Sequence, residues 1–222
     1  MDTSVAIDAV ITATGLGVDG EHGPLFTGVG LSFPTGLHAV QLPGGHAQAA
    51  LLLVLAGRIE PTSGEVSVCG ATDPRAIRRH CAIAVFHAID ELEEAVTVGV
   101  VLAEQQRWLS PWYSIVSASA GYDRLVEVFG DIPAPDSDTY ISDLSDLELF
   151  LLRVTLALLS ERPILVVGDL EQVRDTDRRQ LAAQRLSAIA EERTVVVGLT
   201  NPLGANAPAH VLHDLRDLMG GE

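Results

Sequence analysis

From residue 37 to 66 the chain runs through an apolar hexad, a Pro-Gly-Gly break, a helical stretch and a tight turn, in that order. The hexad LHAVQL, Leu37 to Leu42, has the composition of a short buried strand, and Pro43-Gly44-Gly45 ends it. The segment His46 to Gly57 predicts a helix closed by its final glycine, with Ala49, Leu52 and Leu53 on one apolar face. Pro61-Thr62-Ser63-Gly64 then turns the chain into Glu65-Val66, with Gly64 supplying a backbone angle that other residues avoid. A buried strand delivered through a glycine turn into a helix is a βα unit, and it commits the chain to an α/β sheet.

The remainder agrees with that commitment. Glu65–Cys69 and Ala82–Phe86 predict strands. Pro163–Val167 is a continuous apolar run bounded by Pro and Gly, as a central parallel strand is, and Thr194–Leu199 is a second. Between them, Asp175–Arg193 places Ala182, Leu186, Ile189 and Ala190 at helical spacing, which completes a strand–helix–strand crossover. Before position 40 the glycines at 15, 17, 20, 23, 28 and 30 suit short antiparallel strands. Thr97–Tyr122 reads as helical pieces within an inserted subdomain spanning about 88–158, and residues 1–222 as one domain. No internal repeat is present.

Composition narrows the partners. The 222 residues hold 14 basic against 30 acidic side chains, a net charge of −16, which repels nucleic acid and anionic headgroups. Every basic residue is arginine; there is no lysine. The opening MDTSVAIDAVITATG lacks a basic n-region and does not read as a signal peptide. The longest apolar run, Ala49–Ala56, falls far short of the roughly 20 residues a membrane helix needs. These features point to a cytoplasmic protein without direct membrane insertion. Cys69 and Cys81 have no paired metal spacing and read as reduced thiols.

The stretch Leu55–Gly70, LAGRIEPTSGEVSVCG, resembles the LxGLxxPTSGEVxVxG run that follows the P-loop helix in ATP-binding domains of ABC transporters. Later landmarks keep that family's order. Phe86-His87 falls where the glutamine loop begins, Val96-Thr97-Val98 matches its LTV, and Leu144-Ser145 opens the place of the LSGGQ signature. Pro163–Val167 matches the Walker B strand, Asp175 the D-loop aspartate, and Thr194–Thr200 the strand before the switch histidine. The resemblance implies the ABC form of the P-loop NTPase fold: a parallel-sheet core, an N-terminal antiparallel β layer and a helical insert. It also implies ATP and Mg²⁺ as cofactors and, as partner, a membrane permease or another ABC ATPase subunit, with dimer formation and a peripheral place on the inner face of the plasma membrane.

The family's chemical residues are what this chain lacks. In G-x-x-x-x-G-K-[ST] the backbone wraps phosphate, the lysine holds the β and γ phosphates and the hydroxyl binds Mg²⁺. Aligned on that motif, the two glycine places hold Leu42 and Ala47, the lysine place Gln48 and the hydroxyl place Ala49. Gly44, Gly45, His46 and the helix N-terminus remain as a vestige able to offer backbone amides to an anion. Gly168 stands in the place of the Mg²⁺-linked aspartate and Asp169 in that of the catalytic glutamate; a rival register makes Asp169 the metal-linked residue. His87 replaces the loop glutamine, Asn201 the switch histidine and Val18 the adenine-stacking aromatic. Asp146 and Leu147 replace the signature glycines, adding bulk and a charge that repels phosphate.

A charge-assisted hydrogen bond contributes roughly 1.5–3 kcal/mol, so losing lysine, hydroxyl and aspartate together removes about 5–9 kcal/mol. Micromolar to millimolar affinity amounts to only about 4–8 kcal/mol. The expectation is therefore a non-hydrolysing ABC-type subunit, with a soluble pseudo-ATPase scaffold as the alternative. Nucleotide is expected only if the degenerate site still binds it, and no resident metal.

Other residues carry two readings each. Arg58 or Arg153 would serve as a substitute for the missing lysine in an active enzyme. His210-x-x-His213 reads as a metal pair or as surface residues, the latter favoured because no third ligand accompanies it. Trp108, Trp112 and Tyr113 read as a docking surface or as core. The apolar helix after Leu144, with Leu147, Leu151, Val154 and Leu158 at i, i+3/i+4 steps, reads as buried.

Overall fold

The computed structural model describes residues 9–216, apart from 22, 44, 88, 111–117 and 205. Two sheets organise it. In the first, β1 (Ile11–Gly20) is flanked by β2 (Gly23–Phe33) and β4 (Ser63–Val68), both antiparallel to it. The second is wholly parallel, in the order β5 (Cys81–Ala84), β6 (Ile164–Val167), β7 (Thr194–Leu199), β3 (Leu37–Gln41) and β8 (Val211–Asp214). The glycine-rich N-terminal third thus forms two long strands rather than several short ones, and bulges between Ala13 and Asp19 take up the irregular register.

Burial on both faces explains the apolar runs in the parallel strands. Leu165, Val167, Val195 and Val197 face a core shared with α3 (Val98–Leu109), α4 (Ala118–Phe129), α5 (Asp146–Leu158) and α6 (Thr176–Ile189). Their neighbours Ile164, Val166 and Val196 face the opposite core, which holds α1 (His46–Leu55) and the antiparallel sheet. Helix α1 lies between the sheets, and Leu51 through Leu55 are all buried, so a single apolar face understates it. Helix α2 (Pro74–His80), which periodicity did not suggest, is set by its cap: Asp73 accepts from Ala76 N at 2.9 Å, and Pro74 opens the helix.

Strand β8 was also missed, because it is short and Val211 and Leu212 are exposed. It is joined to β3 through a histidine pair. The fully buried His38 donates from Nε2 to Pro34 O at 2.8 Å, leaving Nδ1 to accept from Nε2 of His213 at 3.2 Å. Phe33 packs edge-on against His38 and tilted against His213. His213 is therefore half-buried rather than a surface residue, whereas His210 turns away to Pro208 O. Burial lowers the pKa of both imidazoles in the pair, that of His213 to about 4.

Two predictions follow from these local constraints. Gly64 sits at φ +77, and a Cβ there would lie 2.3 Å from Gly15 O. Gly64→Ala should therefore lower stability by about 2 kcal/mol or more, read as a lower urea midpoint. The histidine pair binds fewer protons folded than unfolded, so its contribution is complete above pH 6.5 and fades as pH falls towards about 4. His213→Gln keeps a donor for His38 but cannot titrate; urea midpoints measured across that window should fall less steeply with acid than in the parent protein.

Candidate functional site

The C-terminal ends of parallel strands are where open α/β sheets hold ligands, and some of the residues singled out from sequence lie there. The loop before α1 retains its bend: Gly45 lies at φ 105, ψ −148, immediately before the helix, and no side chain caps that helix. His46 is exposed at the mouth; Gly44 lies outside the described residues. Gln48 is only 2% exposed, and its amide packs against the backbone of Gly198. Its Nε2 has no partner among the described residues. Ala49 offers no oxygen beyond its backbone. Val18 is a core residue beneath the β1–β2 hairpin and presents no stacking surface.

Gly168 follows β6 and is tightly covered. A Cβ there would lie 2.5 Å from Val85 O and 3.0 Å from the Phe86 ring. Val85 itself is at φ 63, a left-handed backbone conformation that costs a β-branched residue about 1–3 kcal/mol. Three side chains hold it. Asp90 accepts from Val85 N at 2.6 Å and Phe86 N at 2.8 Å, and Gln172 Nε2 donates to Val85 O at 2.9 Å. Arg153, on α5, then binds them all: Nε donates to Asp90 Oδ2 at 3.1 Å, Nη1 to Gln172 Oε1 at 2.7 Å, and Nη2 to Phe86 O at 3.0 Å and to Asp90 Oδ1.

The structure thus separates both candidate arginines from the α1 loop. Arg153 is a buried clamp, and Arg58 donates to Ala56 O and Cys81 O at the far end of α1. The helix α5 is buried as its periodicity indicates, but this guanidinium is buried with it.

Asp169 accepts from Glu171 N at 2.9 Å. Burial, reinforced by the neighbouring Glu171 carboxyl, pushes its pKa up to about 6. Glu171 carries more structure than Asp169. Its carboxylate accepts from Thr200 N at 3.0 Å and Asn201 N at 2.8 Å, tying the segment after β7 to the 3-10 turn Leu170–Gln172. Gln41 Nε2 donates to Thr200 O at 3.0 Å from the other side. Sequence reasoning passed over Glu171 and Gln172, which act on segments far away along the chain, and Asp90, whose turn amides are local but whose partner Arg153 lies 63 residues on. The one signal for Glu171 and Gln172 was their polar character just beyond a buried strand.

At the signature position Ser145 and Glu148 form a reciprocal N-cap for α5. The burial that the periodicity of α5 indicates includes Leu147. Leu147 is 5% exposed and packs in the core. Asp146 accepts from Arg174 N and Leu147 N, each at 2.9 Å, and pairs with Arg178. Burial tends to raise its pKa, but these donors prevail and hold it below the usual carboxylate range. Asp175 caps α6 by accepting from Arg178 N at 2.9 Å.

His87 is almost fully exposed, 2.8 Å from Glu91. Trp108 is 87% exposed, so it is not core; Trp112 and Tyr113 lie outside the described residues. Burial pushes the Cys81 thiol up to about 12, and both cysteines are free.

The residues expected to form one site border two separate clefts. One, of about 710 Å³, lies between the β1–β2 hairpin and α1 and is lined by Leu25, Ala49, Leu53, Ile59 and His46. The other, of about 540 Å³, is lined by His87, Asp146, Phe150, Arg153, Asp169 and Arg174. Among the described residues no three His, Cys, Asp or Glu side chains are placed to hold a metal. None of the described helices is long and apolar enough to cross a membrane.

Solved structures share this architecture. An ATP-binding protein of a putative ABC transporter from Pyrococcus furiosus superposes with a TM-score of 0.72 at 16% identity, over 94% of this chain and 98% of its own. A nucleotide-free ATP-binding cassette from an ABC transporter gives 0.70 at 13% identity, over 94% and 88%. cbiO1 from Clostridium perfringens, part of the ABC transporter complex cbiONQ, gives 0.67 at 15% identity, over 87% and 79%. No protein-family model matches the sequence, and no curated protein matches it. The fold is that of the ABC-type P-loop NTPase: a parallel core, an N-terminal antiparallel layer and helical insertions.

Gln48 supplies a direct prediction. Gln48→Met removes an unpartnered buried donor and should stabilise the protein by about 1 kcal/mol. Gln48→Lys should destabilise it by about 2 kcal/mol or more, because the ammonium enters a site without a counter-ion. Denaturant midpoints of the two variants should move in opposite directions.

Proposed function

We propose that this protein is a non-hydrolysing ABC-type subunit, a structural or regulatory partner of a membrane permease or of an active ATPase subunit. The observation that carries the reading is the covered Gly168: a valine carbonyl lies over the position where magnesium-bound nucleotide needs a carboxylate. Gln48 and Ala49 add neither cation nor hydroxyl, so the residues present do not fit Mg²⁺-nucleotide, and no reaction step is assigned to it. Asp169 keeps a carboxyl group with Glu171 beside it, but among the described residues no third His, Cys, Asp or Glu joins them to hold a metal. The relatives of known structure support the partner: cbiO1 belongs to a transporter complex, and another structural relative is a putative metal-chelate type ABC transporter in an inward-facing conformation. On this reading the chain sits at the cytoplasmic face of a membrane, bound through its partner.

A second reading, a soluble scaffold with no transport role, is favoured by Asp146. Its carboxylate is engaged by Arg174 and Arg178 of its own chain, which leaves little of the signature turn to serve a partner's nucleotide.

Isothermal titration with MgATP tests what the two readings share. No heat of binding is expected up to millimolar nucleotide, and micromolar affinity would sink both. Affinity capture from a detergent extract separates them: co-purification of a polytopic membrane protein supports the first, whereas recovery of soluble partners alone supports the second.

A further inference from the structure

Arg153 is 7% exposed in a chain whose few cations are otherwise spread over its surface and loops, and four of its hydrogen bonds are made inside one crevice. The bonds join three segments. Asp90, with the backbone of Val85 and Phe86, follows β5; Gln172 follows β6; the arginine itself comes from α5. A planar guanidinium presents donors in a fixed fork, so it sets the mutual positions of all three segments rather than merely neutralising Asp90.

The result is a closed circuit. Asp90 holds the two amides of the Val85–Phe86 turn, Gln172 holds the Val85 carbonyl, and Arg153 holds Asp90, Gln172 and the Phe86 carbonyl. The left-handed Val85 persists within this circuit, and its carbonyl fills the space that the absent Cβ of Gly168 leaves open. The space beside Gly168, at the ends of β5 and β6, is filled by groups of the chain itself, and Arg153 and Gln172 form part of the wall of the neighbouring cleft of about 540 Å³.

We infer that Arg153 acts as a built-in cation locking α5 and the Val85–Asp90 turn onto the parallel sheet, so that their arrangement is fixed without nucleotide and does not respond to it. This deepens the function proposed above and rests on it for the identity of the crevice. Arg153 is a positioning residue. A partner docking on this side of the molecule would meet one fixed surface, preorganised at the cost of a buried ion pair.

Spin-label distances test the lock. With Cys69→Ser removing the exposed thiol, labels at Ile89→Cys and Asp177→Cys report the turn after β5 against α6; both sites are exposed. The parent protein should give one narrow distance distribution, unchanged by millimolar MgATP. Asp90→Asn keeps the shape of the side chain and weakens the fork. It should broaden the distribution while the protein remains folded by circular dichroism, and hydrogen exchange at the Val85 and Phe86 amides should quicken on the order of 10- to 100-fold. Arg153→Lys, lacking the fork, should broaden the distribution as well.

A broad distribution in the parent protein overturns the inference, as does a shift on adding MgATP or an Asp90→Asn distribution as narrow as the parent's. Nucleotide binding seen by calorimetry with an unmoved narrow distance would sink the non-binding reading and leave the lock standing. A moved distance would sink the lock.

Discussion

Polar groups at the C-terminal ends of β5, β6 and β7 must find partners within the protein, and that requirement shapes the whole crevice. A buried amide, carbonyl or carboxylate without a partner costs on the order of 1–3 kcal/mol, more when charged. In this chain Arg153 and Asp90 answer for the turn after β5, Gln172 for the Val85 carbonyl, and Glu171 for the amides after β7. The parallel sheet can place its strand ends this close because nothing larger than hydrogen lies at Gly168.

That arrangement gives the molecule its character. The elements that form an ABC-type fold are all present, and the strand ends are bridged by side chains instead of being left open. The two clefts stay separate: a largely apolar one beside α1, and a polar one beside Asp169 where arginines and carboxylates alternate. With a net charge of −16, a further anion would meet general repulsion. Asp146 follows the same logic at the start of α5, turning to the amide of Arg174 and the side chain of Arg178.

Much of the fold could be read in advance, for physical reasons particular to each element. Ile164–Val167 and Thr194–Leu199 are buried at every position, and apolar at nearly all, because both faces of the parallel sheet are covered. The Pro61–Gly64 turn was legible because Gly64 alone tolerates the approach of the Gly15 carbonyl. Strand β8 was not, since exposed Val211 and Leu212 carry no alternation and its pairing depends on His38, far away in sequence. In the site, the absence of lysine, hydroxyl and aspartate at 48, 49 and 168 was plain from identity and order. The burial of Arg153 was not, because a helical sequence does not state which neighbours its faces will meet.

The sequence by itself determined the class of fold and which side chains stand at positions 48, 49 and 168, since both follow from residue type and spacing along the chain. Tertiary structure alone decided which groups meet at the strand ends. Asp90 and Arg153 are separated by 63 residues, and Glu171 and Asn201 by 30. Only the stacking of β5, β6 and β7 side by side brings such groups within hydrogen-bonding distance, where the demand to satisfy buried polar atoms selects their partners.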